Sequence, residues 1–126
     1  MILFLGRVSQ DLIPAYYKNA DFMVLLRETT RKNMAGFPTK FAESMIAGVP
    51  VIANVTSDLD KYIISGKTCF VVEDEKVLSL EQTLSRVLAL SQQQIDNMKH
   101  STKACNDAFD YASRKTEMKM FLDKLR

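Results

Sequence analysis

Four short apolar runs constrain the fold of this chain more than any other feature: Ile2–Leu5, Phe22–Leu26, Val51–Ala53 and Cys69–Val72. Each is continuous rather than alternating, the pattern of a strand covered on both faces in a parallel sheet. Parallel strands need long crossover connections, usually helical, and the intervening segments have helical spacing. Asp11–Asn19 carries Leu12, Ala15 and Tyr16 at helical spacing, Thr39–Ala47 is a second helix, and Asp58–Ser65 is a shorter helical turn. Ser65-Gly66-Lys67 then turns the chain into the last run. The expected fold class is α/β, with a parallel sheet of about four strands and flanking helices.

The remainder reads as a helical C-terminal region. Ser79 with Gln82 predicts a capping box ahead of an apolar face of Leu80, Leu84, Val87 and Leu88. Ser91 with Gln94 repeats the signal for a helix with Ile95 and Met98 inward, running on through Ala104, Cys105, Ala108 and Phe109. A last helix follows the break at Asp110–Ser113, with Met118, Phe121, Leu122 and Leu125 as its face. One domain, 1–126, is expected, with an α/β part over about 1–90 and a helical part over about 91–126.

Composition narrows the function classes. Hydrophobic residues make up 47% and charged residues 25%, as in an ordinary globular domain. A net charge of +2 without a basic stripe gives no reason to expect a nucleic-acid partner. The longest apolar run, Met45–Ala53, is broken by Gly48 and Pro50 and falls far short of a membrane span. "MILFL" is too short for a signal peptide, and no cleavage pattern follows it. Cys69 and Cys105 read as free buried thiols of a reducing cytosol. His100 is the single histidine, which excludes a histidine-based metal cluster and a Ser-His-Asp triad. No metal site is expected.

One segment mixes apolar residues with chemistry: "AGFPTKFAESMIAGVPVI", residues 35–52. Gly36 permits unusual backbone angles and close approach of a ligand. Pro38 suits the first turn of a helix, so the loop Asn33–Phe37 delivers the chain to a helix N-terminus. Free N–H groups and the positive end of the helix dipole make that a ready anion site, to which Thr39 adds a hydroxyl and Lys40 a cation. At 100° per residue, Phe41, Ala42, Met45 and Ile46 fall within an arc of about 140° facing the core. Lys40, Glu43, Ser44 and Ala47 lie opposite. The Glu43 carboxylate accepts hydrogen bonds without donating them, which suits a ribose diol. Phosphate at the N-terminus with a diol further along describes a nucleotide. A solvated Lys40/Glu43 pair, worth about 0.2–0.5 kcal/mol, has the same spacing. Gly36 before the helix and "AGVPVI" after it favour the ligand, because open α/β sheets bind ligands beyond the carboxyl ends of their strands.

"FLGRVSQDLIPAYYKNADFMVLL", "GFPTKFAESMIAGVPVIANVTSD" and "ISGKTCFVV" resemble, in order, the C-terminal donor-binding domain of retaining GT-B glycosyltransferases of the family 4 type, over about Phe4 to Leu90. The resemblance implies the second half of a Rossmann-like GT-B domain and metal-independent hexosyl transfer without a protein nucleophile. It implies no cofactor, with a UDP- or GDP-linked sugar as donor substrate. The second glutamate of the family's Glu-x7-Glu motif, which contacts the ribose, matches Glu43. The backbone at Gly36, Phe37, Pro38 and Thr39 corresponds to the diphosphate and sugar contacts, with Gly6, Arg27 and Lys40 completing the implied nucleotide-sugar-binding set. The motif's first glutamate, used by the family on the donor sugar, falls at Ala35, where this chain departs from the pattern. Arg27, Arg31 and Lys32 are available as replacement charge there, although the same cations also fit a solvated loop. A similar "AGFPTKF…ES" variant occurs in family members linked to surface polysaccharide assembly, which implies a polysaccharide or capsule pathway. The implied location is cytoplasmic, with a peripheral place at the inner membrane face in a full enzyme.

The family's donor domain begins two strands and two helices earlier, and its acceptor-binding N-terminal domain earlier still; nothing in this chain matches either. The expectation is therefore the latter half of an enzyme, catalytically incomplete alone and lacking its acceptor domain as partner. In the family's sheet, the strand corresponding to Ile2–Leu5 lies at one edge, separated from the one at Phe22–Leu26 by two strands that nothing in this chain matches. The chain is thus expected to self-associate through an exposed sheet edge, or to draw its first strand beside the second into a four-stranded sheet. The alternative reading is a non-catalytic flavodoxin-like regulatory or interaction module. "LFLGRVSQD" and Ala53-Asn54-Val55 lack the acids that a response-regulator receiver needs. A nucleotide-sugar epimerase of related architecture fits the single histidine less well.

Overall fold

Three of the four apolar runs become strands in the computed structural model, which describes residues 1–74 and 76–126. They are Met23–Leu25 (β1), Val51–Ala53 (β2) and Cys69–Val71 (β3), in the order β1-β2-β3 with both pairings parallel. Met23 stands opposite Val51, and Val51 opposite Cys69. The helices are Ile13–Asn19 (α1), Arg31–Ala35 (α2), Thr39–Ala47 (α3), Val77–Leu88 (α4), Gln92–Ala104 (α5) and Tyr111–Lys124 (α6). Gln10–Leu12 and Leu59–Lys61 are single 3-10 turns. The fold is the α/β layer with a parallel sheet that the apolar runs imply.

The continuity of those runs has its cause in the packing. On one face Val51, Ala53 and Cys69 meet Phe41 and Met45 of α3 together with Leu59. On the other, Ile52, Phe70 and Val72 meet Val87 of α4 and Met98 of α5. All three residues of β2 are buried, so no position there can be polar. The larger of these side chains, such as Val51, Ile52 and Phe41, contribute roughly 1.5–3 kcal/mol each relative to exposure, and this two-sided burial holds the layers together.

Several expectations are corrected. Ile2–Leu5 forms no strand: Ile2 is 82% and Phe4 90% exposed, and the sheet has three strands among the described residues. A strand is stable only along a hydrogen-bonded neighbour, and β1 keeps its outer edge open rather than taking this segment in. The helix expected to be capped by the Ser79/Gln82 box starts three residues earlier, with Lys76 as N-cap, so Ser79 is internal and its carbonyl accepts from Thr83 Oγ1 at 2.8 Å. Leu88 is 84% exposed and leaves the apolar face. The Ser91/Gln94 capping box does form, with both reciprocal hydrogen bonds made. Its helix ends at Ala104, and Asn106–Asp110 continues as turns in which Phe109 N donates to Asn106 O at 2.8 Å. Cys69 is buried but Cys105 only half-buried. The proposed face of α6 covers nothing: Met118, Phe121, Leu122 and Leu125 are all exposed.

Candidate functional site

The helix bounds read from the sequence, Thr39–Ala47, are those of α3. At its end Gly48 adopts φ 73°, a left-handed angle that favours glycine, and its N–H donates to Met45 O. Val49 N then donates to Ser44 O at 2.9 Å, and Ser44 Oγ donates to Val49 O at 2.7 Å. That reversal feeds the chain into β2, so α3 runs antiparallel to the strands. Its N-terminus therefore lies beside their carboxyl ends, where an α/β sheet binds ligands. The reversal also corrects the helix face. Ser44 is fully buried because its hydroxyl is satisfied, while Ile46, expected inward, is 49% exposed.

The start of α3 is held from behind. Pro38 is buried and serves as N-cap, not as a first-turn residue. Phe41 N donates to Pro38 O at 3.0 Å. The N–H groups of Thr39 and Lys40 occupy first-turn positions that have no acceptor within a helix. Phe37 turns its ring inward, edge-on to Phe41 and Tyr62 with centroids 6.2 and 5.6 Å away, and 5.8 Å from Phe109. The side chain is an anchor, and only the backbone of this residue remains for a ligand. Gly36 has φ −115°, an extended conformation open to any residue, so unusual angles are not the reason for glycine here. A Cβ there would meet only Lys32 O at 3.6 Å, an ordinary contact. The expected loop Asn33–Phe37 is partly helical, since α2 runs to Ala35 with Thr30 as its N-cap.

Lys40 and Glu43 both line an open groove of ≈ 1180 Å³ between α1, α3, the outer edge of β1 and α5, with Tyr17, Val24 and Lys103 among its walls. Tyr17 Oη stands 3.4 Å from Glu43 Oε2. Burial first, and then the Glu43 charge, raise the Tyr17 phenol above its usual pKa. Tyr17 carried no signal in the sequence, because nothing there shows that α1 packs beside α3.

Arg27 stands elsewhere, at the end of β1. Its Nη1 donates to Gly36 O at 3.0 Å and to Thr56 Oγ1 at 3.4 Å, and its Nη2 donates to Asn33 Oδ1 at 3.1 Å. Its backbone exchanges two hydrogen bonds with the Asn54 amide, at 2.9 and 2.7 Å. Arg31 and Lys32 are exposed on α2. Gly6, at φ 66°, lies in the exposed leading segment and lines no part of the groove. The structure therefore ties Arg27 to Gly36 in one network, places Lys40 and Glu43 on the groove at the other side of the start of α3, and leaves Gly6 outside both. Asn33, Asn54 and Thr56 belong to the Arg27 network although no motif marks them. Among the described residues, no group of three His, Cys, Asp or Glu side chains is placed to hold a metal ion, and no helix is long and apolar enough to cross a membrane.

A parallel sheet flanked by helices, with a helix N-terminus at the carboxyl ends of its strands, defines an α/β domain of the Rossmann-like type. The chain belongs to the group 1 glycosyl transferases, whose family profile matches residues 1–104. Its fold is that of part of sucrose-phosphate synthase from Thermosynechococcus elongatus, with a TM-score of 0.80 at 21% identity. The match covers 98% of this chain and 30% of the synthase, so the chain spans under a third of that protein's length. No curated protein matches the chain.

Proposed function

We propose that this chain is the nucleotide-sugar-binding part of a retaining, metal-independent glycosyltransferase that transfers a hexosyl group in polysaccharide or capsule assembly. The donor is UDP- or GDP-linked, and the acceptor is held by a separate N-terminal domain of the whole enzyme, which works at the cytoplasmic face of the membrane. The observation that carries the reading is the placement of Glu43 one turn beyond the start of α3, on the groove that Lys40 also lines. The diphosphate takes the N–H groups at Thr39 and Lys40, with Gly36–Pro38 passing close by, and the ribose diol donates to Glu43. Transfer then depends on positioning and on stabilising the departing diphosphate, for which preorganised N–H donors suffice. Membership of the group 1 family supports this reading over the flavodoxin-like module.

A thermal-shift series with UDP, GDP and ADP tests it. A ligand at a hundred times its dissociation constant adds about 2.7 kcal/mol of stability, so one of the three should raise the melting temperature clearly. No shift with any of them, backed by calorimetry without heat of binding, would end the nucleotide assignment.

A further inference from the structure

We infer that Arg27 is a positioning residue that acts through Gly36, setting the backbone leading into α3, and not a cation that touches the ligand. Three segments converge on it. Its own backbone is clamped to Asn54, which is 7% exposed, just after β2. Its guanidinium reaches Thr56, which is fully buried, and at the same time Gly36 O and Asn33 Oδ1 across the segment before α3. Asn33 in turn donates to Glu28 O at 2.8 Å, and its N–H donates to Thr30 Oγ1 at 3.2 Å. The planar fork of the guanidinium thus ties the ends of β1 and β2 to the carbonyl of Gly36.

Two residues, Phe37 and Pro38, separate that carbonyl from the first turn of α3. From it the chain passes through Phe37, held in the aromatic cluster, and the buried Pro38. Residues 36–38 are therefore fixed from both sides, by Arg27 on the carbonyl and by the rings on Phe37. With the guanidinium so engaged, its contribution is geometric: it aims the N–H groups of Thr39 and Lys40. Lysine cannot replace it, because an ammonium is a point charge without the fork that spans Gly36 O and Asn33 Oδ1 together. The binding consequence rests on the proposed nucleotide reading, whereas the conformational consequence does not.

The test uses the chain with Arg27, Arg27→Lys and Arg27→Ala. Amide hydrogen exchange of the unliganded proteins is read at Phe41, whose N–H donates to Pro38 O at the start of α3, with Ile52 in β2 as internal control. UDP and GDP affinities are measured by calorimetry at low and high salt. Positioning predicts that both variants speed exchange of the Phe41 amide, which donates to Pro38 O, by about tenfold, the loss of one hydrogen bond's worth of local stability, while Ile52 is unchanged. It also predicts that both variants weaken the nucleotide by a similar factor at both salt concentrations. Wild-type exchange in Arg27→Lys, or an affinity loss confined to Arg27→Ala that fades with salt, would overturn the inference in favour of direct charge contact. Faster exchange at Ile52 as well would overturn it in favour of a general structural role. If the wild type binds neither UDP nor GDP, the nucleotide reading fails and exchange at Phe41 alone decides for or against Arg27.

Discussion

Tyr17 Oη lies 3.4 Å from Glu43 Oε2 and 3.7 Å from Met23 Sδ, which links α1, α3 and the edge strand β1 at one point of the groove. The first of these contacts is long for a hydrogen bond, so Glu43 keeps acceptor capacity for a ligand. Hydrogen bonds to a charged group are worth about 1.5–3 kcal/mol, and Glu43→Ala should weaken UDP or GDP by about tenfold or more. The same substitution should lower the Tyr17 titration without returning it to the ordinary phenol value, because burial is the larger cause of its elevation. Calorimetry and an ultraviolet tyrosine titration read the two effects separately. Unchanged affinity would remove the ribose assignment, and an unchanged titration would remove the Tyr17 contact.

Gly36→Val separates ligand approach from fold. The backbone is extended there, and a Cβ has only an ordinary contact, so valine should fold with a stability change within about 0.5 kcal/mol. On the proposed nucleotide reading, binding should nevertheless be lost, since the added methyl groups would stand where that reading passes the diphosphate. A large fall in melting temperature would mark Gly36 as a packing residue.

The elements legible in the sequence are those whose partners also announce themselves. β2 and β3 are buried on both faces, and their runs are unbroken; Pro38 and Gly48 bound α3, and Ser91 with Gln94 caps α5. Ile2–Leu5 has the same composition as these strands, but a run of apolar residues shows the tendency to pair and not the presence of a neighbour. Ser79 with Gln82 imitates a cap because the three-residue spacing also recurs inside helices. Ser44 was misplaced for a different reason: its burial depends on Val49 O, an acceptor beyond the helix that periodicity does not see. In the candidate site, Lys40 and Glu43 were legible from one helix. The Arg27 network joins residues from three segments, and only the fold brings them together.

β1 closes one side of the sheet with its outer edge open, Val24 being 54% and Leu26 44% exposed. The same chain carries Ile2–Leu5 as an exposed apolar segment of strand length. A chain that carries both an open strand edge and such a segment can pair one copy's segment with another copy's edge. The mass of the isolated chain in sedimentation should therefore rise above 14.3 kDa with concentration, and the double substitution Ile2→Lys and Phe4→Lys should suppress the rise. A wild-type chain that stays at the monomer mass up to its solubility limit would contradict this, as would association that survives both lysines.

Cys69 gives the fold a defined sensitivity to alkali. Its thiol is fully buried in β3, and burial pushes its pKa up from 9.0 to about 12. In the unfolded chain the thiol ionises near the ordinary value, while in the folded chain it stays protonated. A group whose folded pKa is raised contributes its full stability below the unfolded pKa and loses it as pH climbs toward the folded one. Urea-unfolding free energies should thus be insensitive to this thiol below about pH 8 and fall between about pH 9 and 12, by up to about 1.4 kcal/mol per pH unit from this thiol. Tyr17, whose phenol is also raised, adds to the decline only above its own ordinary range near 10.0. Cys69→Ala removes the first part and leaves the second. Its stability will be lower at neutral pH, because a buried side chain has been shortened, but its curve should run flat through pH 9 to 10 where the wild type declines. Parallel curves for the two proteins across that interval would show that Cys69 ionises as readily in the folded chain as in the unfolded one.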